Sequence, residues 1–222
     1  MGGILKARGV LQQGHVIVKT ARQMCDSIDE FDAIIKLAKH GILFIDEAHQ
    51  LAEPTNIYGK SVIKRLLTVL EDVNVIQHTC IILAGYPNDM MYLLEADSGL
   101  ASRFGTANSM IYFDDYTPEE LLQILDVMAK KANEISQIGS LYPLRLSEDY
   151  RKQSLEIFQW IVRSGNSNYG NARFVRNYLH DSLDELLERV DMQYGVENEA
   201  PVQVMDFLTI EDIPKKYKNI MR

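Results

Sequence analysis

Residues 41–49 read Gly41-Ile42-Leu43-Phe44-Ile45-Asp46-Glu47-Ala48-His49: four bulky apolar residues end abruptly in two adjacent carboxylates. So short an apolar run, rich in Ile and Phe, predicts a strand buried on both faces, as in a parallel sheet covered by helices. In open α/β sheets, ligands bind just beyond the carboxyl ends of the strands. Asp46 and Glu47 are predicted at that edge.

The flanking segments supply partners for such a strand. Ile4, Leu5, Val10 and Leu11 suggest a helix tail over residues 4–13, closed by Gly14. Residues 15–19 (His-Val-Ile-Val-Lys) are β-branched and strand-like. Ile28, Phe31, Ile34, Ile35 and Ala38 stand at helical spacing, and so do Val62, Ile63, Leu66, Leu67 and Leu70. A second buried strand is expected over 79–84, a helical stretch up to Arg103, and a short strand over 110–113. Strands alternating with helices imply βαβ units and a mainly parallel sheet. At Thr117-Pro118-Glu119-Glu120 the character changes to a capping-box helix start. Helical stripes follow at Leu121, Leu125, Met128 and Ala132, then at Leu155, Phe158 and Ile161, then at Val175, Leu179, Leu183, Leu186 and Val190. The expected organisation is an α/β portion over residues 1–115 and a helical portion over 116–222.

Composition narrows the partners. With 46% apolar and 24% charged residues the 222-residue chain reads as an ordinary globular protein. A net charge of −8 argues against a general nucleic-acid or anionic-membrane binder. No apolar run approaches the roughly 18 residues of a membrane span, and the first residues lack a signal-peptide core. Cys25 and Cys80 show no metal-ligand spacing and suit packed thiols in a reducing compartment. A cytoplasmic protein without membrane insertion is expected.

The two carboxylates form a Walker B pattern. In P-loop nucleotide hydrolases the first acid belongs to the Mg²⁺ shell, and a second can polarise the attacking water. Two lookalikes are set aside. Asp46-Glu47-Ala48-His49 spells a helicase box, but helicases of that kind need two recombinase-like domains and a basic groove. Gly59-Lys60-Ser61 resembles the end of a P-loop, yet Pro54 falls on its first glycine and lacks the N–H a phosphate cradle needs. That stretch reads as a helix start, and the 222 residues hold no other P-loop pattern. Further polar positions follow: Tyr86 and Asn88 after the second strand, Arg103 at a helix end, and Arg173 within Gly170-Asn171-Ala172-Arg173. Guanidinium suits multidentate contact with phosphate oxygens.

In this order the motifs resemble those of the AAA+ ATPases, and within them the CbxX/CfqX family. The likeness runs from about Gly9 to Ile213 and rests on Gly14-His15-Val16, residues 41–48, Tyr58-Gly59-Lys60, Ile82-Leu83-Ala84-Gly85-Tyr86, Ser102-Arg103-Phe104 and Gly170-Asn171-Ala172-Arg173. The resemblance implies an AAA+ parallel-sheet subdomain followed by an all-helical lid, with ATP and Mg²⁺ as cofactors. It assigns Asp46 to Mg²⁺, Glu47 to water activation, Arg103 to an arginine finger reaching a neighbouring subunit, and Arg173 to sensor 2. Sensor 1 falls on Tyr86 or Asn88. Hexameric rings that remodel a client protein are implied as well.

Two departures stand beside the likeness. The family's P-loop and its strand, expected ahead of residue 1, are not in these residues, so the sheet is expected to miss a central member. Between Thr20 and Asp29, where relatives carry an aromatic-glycine pore loop, the sequence is Ala21-Arg22-Gln23-Met24-Cys25-Asp26-Ser27-Ile28, without an aromatic. The chain alone is therefore expected not to hydrolyse ATP. Two functions fit: the hydrolytic portion of a protein-remodelling ATPase, or a non-catalytic AAA-like assembly or adaptor subunit.

Overall fold

The computed structural model describes residues 1–25, 27–76, 79–106, 108–132, 143–165, 169–195 and 207–220. Two compact units are present, Met1–Tyr112 and Phe113–Arg222.

In the first unit, β1 (Val16–Thr20), β2 (Ile42–Asp46) and β3 (Cys80–Leu83) form a parallel sheet in that order. Val16 pairs with Ile42 and Thr20 with Asp46, while Ile42 pairs with Cys80 and Ile45 with Leu83. The crossovers carry α2 (Ile28–Ala38) and α3 (Gly59–Glu71), the latter followed by the single-turn α4 (Val73–Ile76). The Ser27 hydroxyl caps α2 by accepting the Glu30 N–H. Because side chains alternate across a strand, Ile17, Leu43, Ile45, Ile81 and Leu83 share one face. They pack there on Phe31, Ile34 and Ala38 of α2 and on Val62, Ile63 and Leu66 of α3. Arg65 of α3 grips Asp32 of α2 through two hydrogen bonds of 2.8 and 2.9 Å, which hold that carboxyl below the usual carboxylate range.

Three local expectations change. The strand expected to be buried on both faces is covered fully on one. On the other, Ile42 is buried and Phe44 and Ile82 are half-buried, while Val16 and Val18 of β1 stand 45% and 62% exposed. The first helix, α1 (Gly2–Ala7), closes at Gly9 and not at Gly14: Gly9 takes φ +72° and the Val10 and Leu11 N–H groups turn back to the Leu5 carbonyl. Residues 110–113 form no strand. A strand needs a ladder partner, these residues pair with none among the described residues, and Ile111, Tyr112 and Phe113 are exposed.

Between β3 and this segment lie α5 (Pro87–Ala96) and α6 (Ser98–Phe104). Gly59 opens α3, as expected for a helix start. A Cβ there would come 2.0 Å from the Leu51 carbonyl oxygen, so the close tuck of α3 under the preceding turn requires glycine.

The second unit is built on α7 (Pro118–Lys130), α8 (Glu148–Arg163), α9 (Ala172–Tyr194) and α10 (Lys215–Ile220). The capping box at α7 is formed: Thr117 Oγ1 accepts the Glu120 N–H, and the Glu120 carboxylate accepts the Thr117 N–H. To this helical framework the structure adds a two-residue parallel pairing of β4 (Arg145–Leu146) with β5 (Phe207–Leu208). Leu121, Leu125, Ile157, Phe158, Val175, Leu179 and Leu186 fill the core. Two tyrosines reach its centre because their hydroxyls find partners: Tyr150 donates to Ser182 Oγ (2.9 Å), and Tyr178 lies 2.8 Å from Ser154 Oγ. Burial pushes both phenols above their ordinary range, so they stay neutral donors.

Asp212 is the buried charge of this unit among the described residues. Arg189 donates to both its oxygens (2.7 and 3.0 Å), and the Thr209 N–H donates to it at 2.7 Å. Asp212→Ala removes the partner of a half-buried guanidinium and the cap of the 209–212 turn. The expected loss is about 3 kcal/mol, read as a lowered unfolding midpoint; a change under about 0.5 kcal/mol would show the clamp to be dispensable.

Candidate functional site

The three strand ends meet around Asp46. Its carbonyl accepts the Ala21 N–H just past β1, and the Ala48 N–H reaches the Ala84 carbonyl just past β3, each at 2.9 Å. The turn after β2 is thereby latched to both neighbours. Between those latches Glu47 adopts a left-handed conformation (φ 51°, ψ 40°), which turns the chain sharply out of the sheet into a 3₁₀ turn, Ala48–Ala52. Left-handed geometry is costly for a residue with a Cβ and tends to persist where the surroundings impose it.

The carboxylates have different surroundings. Asp46 Oδ1 accepts the Glu47 N–H at 3.0 Å, which orients the group and leaves the other oxygen without a hydrogen bond among the described residues. Glu47 points its carboxylate outward, 40% exposed, with Oε2 3.6 Å from His49 Nε2. The sequence pattern gives His49 no role beyond the last letter of a box. The 3₁₀ turn brings it back onto Glu47. Its other ring nitrogen is buried without a hydrogen-bond partner, in the space a Cβ on Gly85 would approach to 3.2 Å. His49 therefore lies between the acid and the residue that follows β3, a placement legible only once the turn is seen.

The β2–β3 register sets Leu83 beside Ile45, so Gly85 and Tyr86 lie just past the same edge as Glu47. Tyr86 precedes α5 at its N-cap and Asn88 sits in the first turn; both are exposed, and either can face a ligand at the edge. Cys80 opens β3, half-buried, and burial raises its thiol above the ordinary range.

Arg103 is held elsewhere. Its guanidinium donates to Glu71 Oε1 at 2.7 Å and to the Gly99 carbonyl at 3.1 Å. Glu71 ends α3, whose opposite end tucks under the turn after Glu47. Thirteen residues of helix separate the two ends, about 18 Å at 1.5 Å per residue. Arg103 is not brought to the carboxylates of its own chain. Arg173, in the first turn of α9 in the second unit, is exposed and makes no ion pair among the described residues.

For a divalent cation the donors present are few. No group of three His, Cys, Asp or Glu side chains comes together among the described residues. A single oriented carboxylate such as Asp46 suits Mg²⁺, which is usually held by one or two carboxylates together with water and substrate phosphates. The backbone cradle for those phosphates has no counterpart pattern in the sequence.

Residues 117–222 match the family model described as "AAA lid domain". A Rubisco activase, chloroplastic, of Cyanidioschyzon merolae is 34% identical over 186 residues, covering 81% of this chain and 58% of that protein. The chain is a CbxX/CfqX-type AAA+ homologue. A CfxQ homolog of Guillardia theta is 35% identical over 184 residues, 80% of this chain and 57% of its own length. The ESX-3 secretion system protein EccA3 of Mycobacterium tuberculosis aligns with 99% of the chain at 29% identity, over 34% of its length. The chain thus spans about half the length, or less, of the relatives it matches. In AAA+ terms, the second unit corresponds to the lid.

An exposed ion pair such as Arg103–Glu71 contributes little to stability. Arg103→Ala is expected to shift the unfolding free energy by less than about 1 kcal/mol, measured by denaturant titration. A loss of several kcal/mol would make Arg103 a structural residue.

Proposed function

We propose that the chain is the hydrolytic portion of an AAA+ protein-remodelling ATPase. The observation that carries this reading is the ending of β2: an oriented Asp46 and an outward Glu47 at the carboxyl edge of a parallel sheet, in a chain whose second unit matches an AAA lid. Asp46 takes a place in the Mg²⁺ shell, and Glu47, steadied by His49, polarises the attacking water. Tyr86 or Asn88 contacts the terminal phosphate as sensor 1. Arg103, turned away from its own carboxylates, serves a neighbour's nucleotide as an arginine finger, and Arg173 faces the phosphates from the lid as sensor 2. A finger used in trans requires a closed ring, and a hexamer is the expected assembly. The site belongs to the cytoplasm, where Cys25 and Cys80, neither of them in a disulfide, persist as thiols; its client is a protein, with no role for nucleic acid or a membrane.

One observation favours a second reading. Ala21 and Met24 of the segment matching the pore loop are buried in the core, and the segment has no aromatic to offer a client; Asp26 of this segment lies outside the described residues. A non-catalytic assembly or adaptor subunit that lends Arg103 to a partner's site needs no such loop.

The test places a P-loop-bearing strand and helix ahead of this chain. Mg²⁺-dependent hydrolysis is then expected, and Glu47→Gln lowers kcat at least about 100-fold with nucleotide affinity retained. Arg103→Ala also lowers kcat, and mixing Glu47→Gln with Arg103→Ala subunits restores part of the turnover. If the extended protein with Glu47 intact is inert while Arg103→Ala depresses a partner subunit's ATPase, the adaptor reading replaces the first.

A further inference from the structure

Three helices of the second unit begin differently. Thr117 and Ser147 cap α7 and α8 with their own side chains, but Asn171, at the N-cap of α9, makes no side-chain cap. Its amide turns the other way. Oδ1 accepts the Tyr116 N–H at 3.0 Å and the Tyr169 hydroxyl at 2.8 Å, while Nδ2 donates to Asp115 Oδ1 at 2.6 Å. Asparagine supplies an acceptor and a donor on one short side chain, as this arrangement needs.

The contacts are made at the expense of backbone strain. Gly170 has φ +88°, and Asn171 follows at φ 48°, ψ −124°. A Cβ on Gly170 would meet nothing closer than 3.7 Å, so conformation and not space calls for glycine there. At Asn171 no glycine is present to relieve the strain, and such strain persists where surrounding contacts over-determine it. An ordinary Ser, Thr or Asp cap would start α9 without it. The residue is instead committed to residues 115–116, the stretch that leads directly into Thr117 and α7.

Arg173 belongs to the same knot, since its N–H donates to the Gly170 carbonyl at 2.9 Å. We infer that Asn171 is a positioning residue that ties the first turn of α9, and with it Arg173, to the chain segment entering this unit. Movement of residues 115–116 is passed to the base of Arg173 chiefly through the Asn171 amide, with the Tyr169 hydroxyl reaching the Tyr116 carbonyl at 3.4 Å beside it. The functional meaning rests on Arg173 facing bound phosphates, as proposed above; the tie itself does not.

The tie is tested in the 222-residue chain with Asn171→Gly, which removes both the side chain and the strain, and Asn171→Asp, which keeps the acceptor but sets a carboxylate against Asp115. Amide hydrogen exchange is read at Tyr116 and, as an internal reference within α9, at Leu183. Asn171→Gly is expected to speed Tyr116 exchange at least about tenfold while Leu183 changes less than about twofold; Asn171→Asp keeps Tyr116 protected. Unchanged Tyr116 exchange in Asn171→Gly, or equal acceleration at both sites, overturns the inference. In the P-loop-extended protein, Asn171→Gly and Arg173→Ala both raise KM for ATP, and the double variant matches Arg173→Ala alone, because the first acts through the second. An Arg173→Ala variant with unchanged KM overturns the phosphate-facing reading. A raised KM for Arg173→Ala beside an unchanged one for Asn171→Gly overturns the positioning role only.

Discussion

The backbone ladder that binds β2 to a strand on either side is the constraint on which the candidate site depends. Both neighbours are parallel to β2 and in register with it, so all three strands end at one level. The Ala21 and Ala48 amides close the ladder just beyond that level. With the chain fixed on both sides of Glu47, a left-handed turn is tolerated at a residue that would otherwise avoid it, and its carboxylate is delivered to solvent beside His49. Leu43 and Ile45, buried against α2 and α3, supply the apolar burial that holds the strand in place.

The two arginines outside this edge have different surroundings. Arg103 lies a helix length from the carboxylates of its own chain and rests on Glu71 in an exposed ion pair that can exchange for a stronger anion. Arg173 of the second unit makes no ion pair among the described residues and lies on a helix whose start is tied to residues 115–116 by Asn171. One sheet face is only partly covered, with Val16 and Val18 exposed, and β3 has no strand partner on its outer edge among the described residues. Exposed apolar surface and an unpaired strand edge beside a candidate catalytic edge suit the seat of a further strand and helix.

Much of this framework was legible in the sequence because burial and capping write strong local patterns. The 3.6-residue stripes of α2 and α3, the apolar runs of β2 and β3, and the Thr117–Glu120 box all located their elements within a residue or two. Residues 110–113 have strand composition, but strand formation is decided by a ladder partner, which composition does not encode. The close of α1 at Gly9 depends on which glycine takes positive φ, and sequence alone does not distinguish it from Gly14. Asp46 and Glu47 were readable as a pair from their place after an apolar run. The parts played by His49 and Asn171 were not, since each depends on a positive-φ turn that brings together residues a linear pattern keeps separate.

The most direct measurement of the division of labour proposed here is a titration of a fluorescent ATP analogue with Mg²⁺, followed by phosphate release in the same sample. It is made on the 222-residue chain and on the same chain preceded by a P-loop-bearing strand and helix. If residues 1–222 hold the hydrolytic side of the site and no phosphate cradle, the chain alone shows no saturable binding and the extended chain binds and turns over. Saturable binding with turnover by the 222 residues alone would contradict this, because some other segment would then be holding the phosphates.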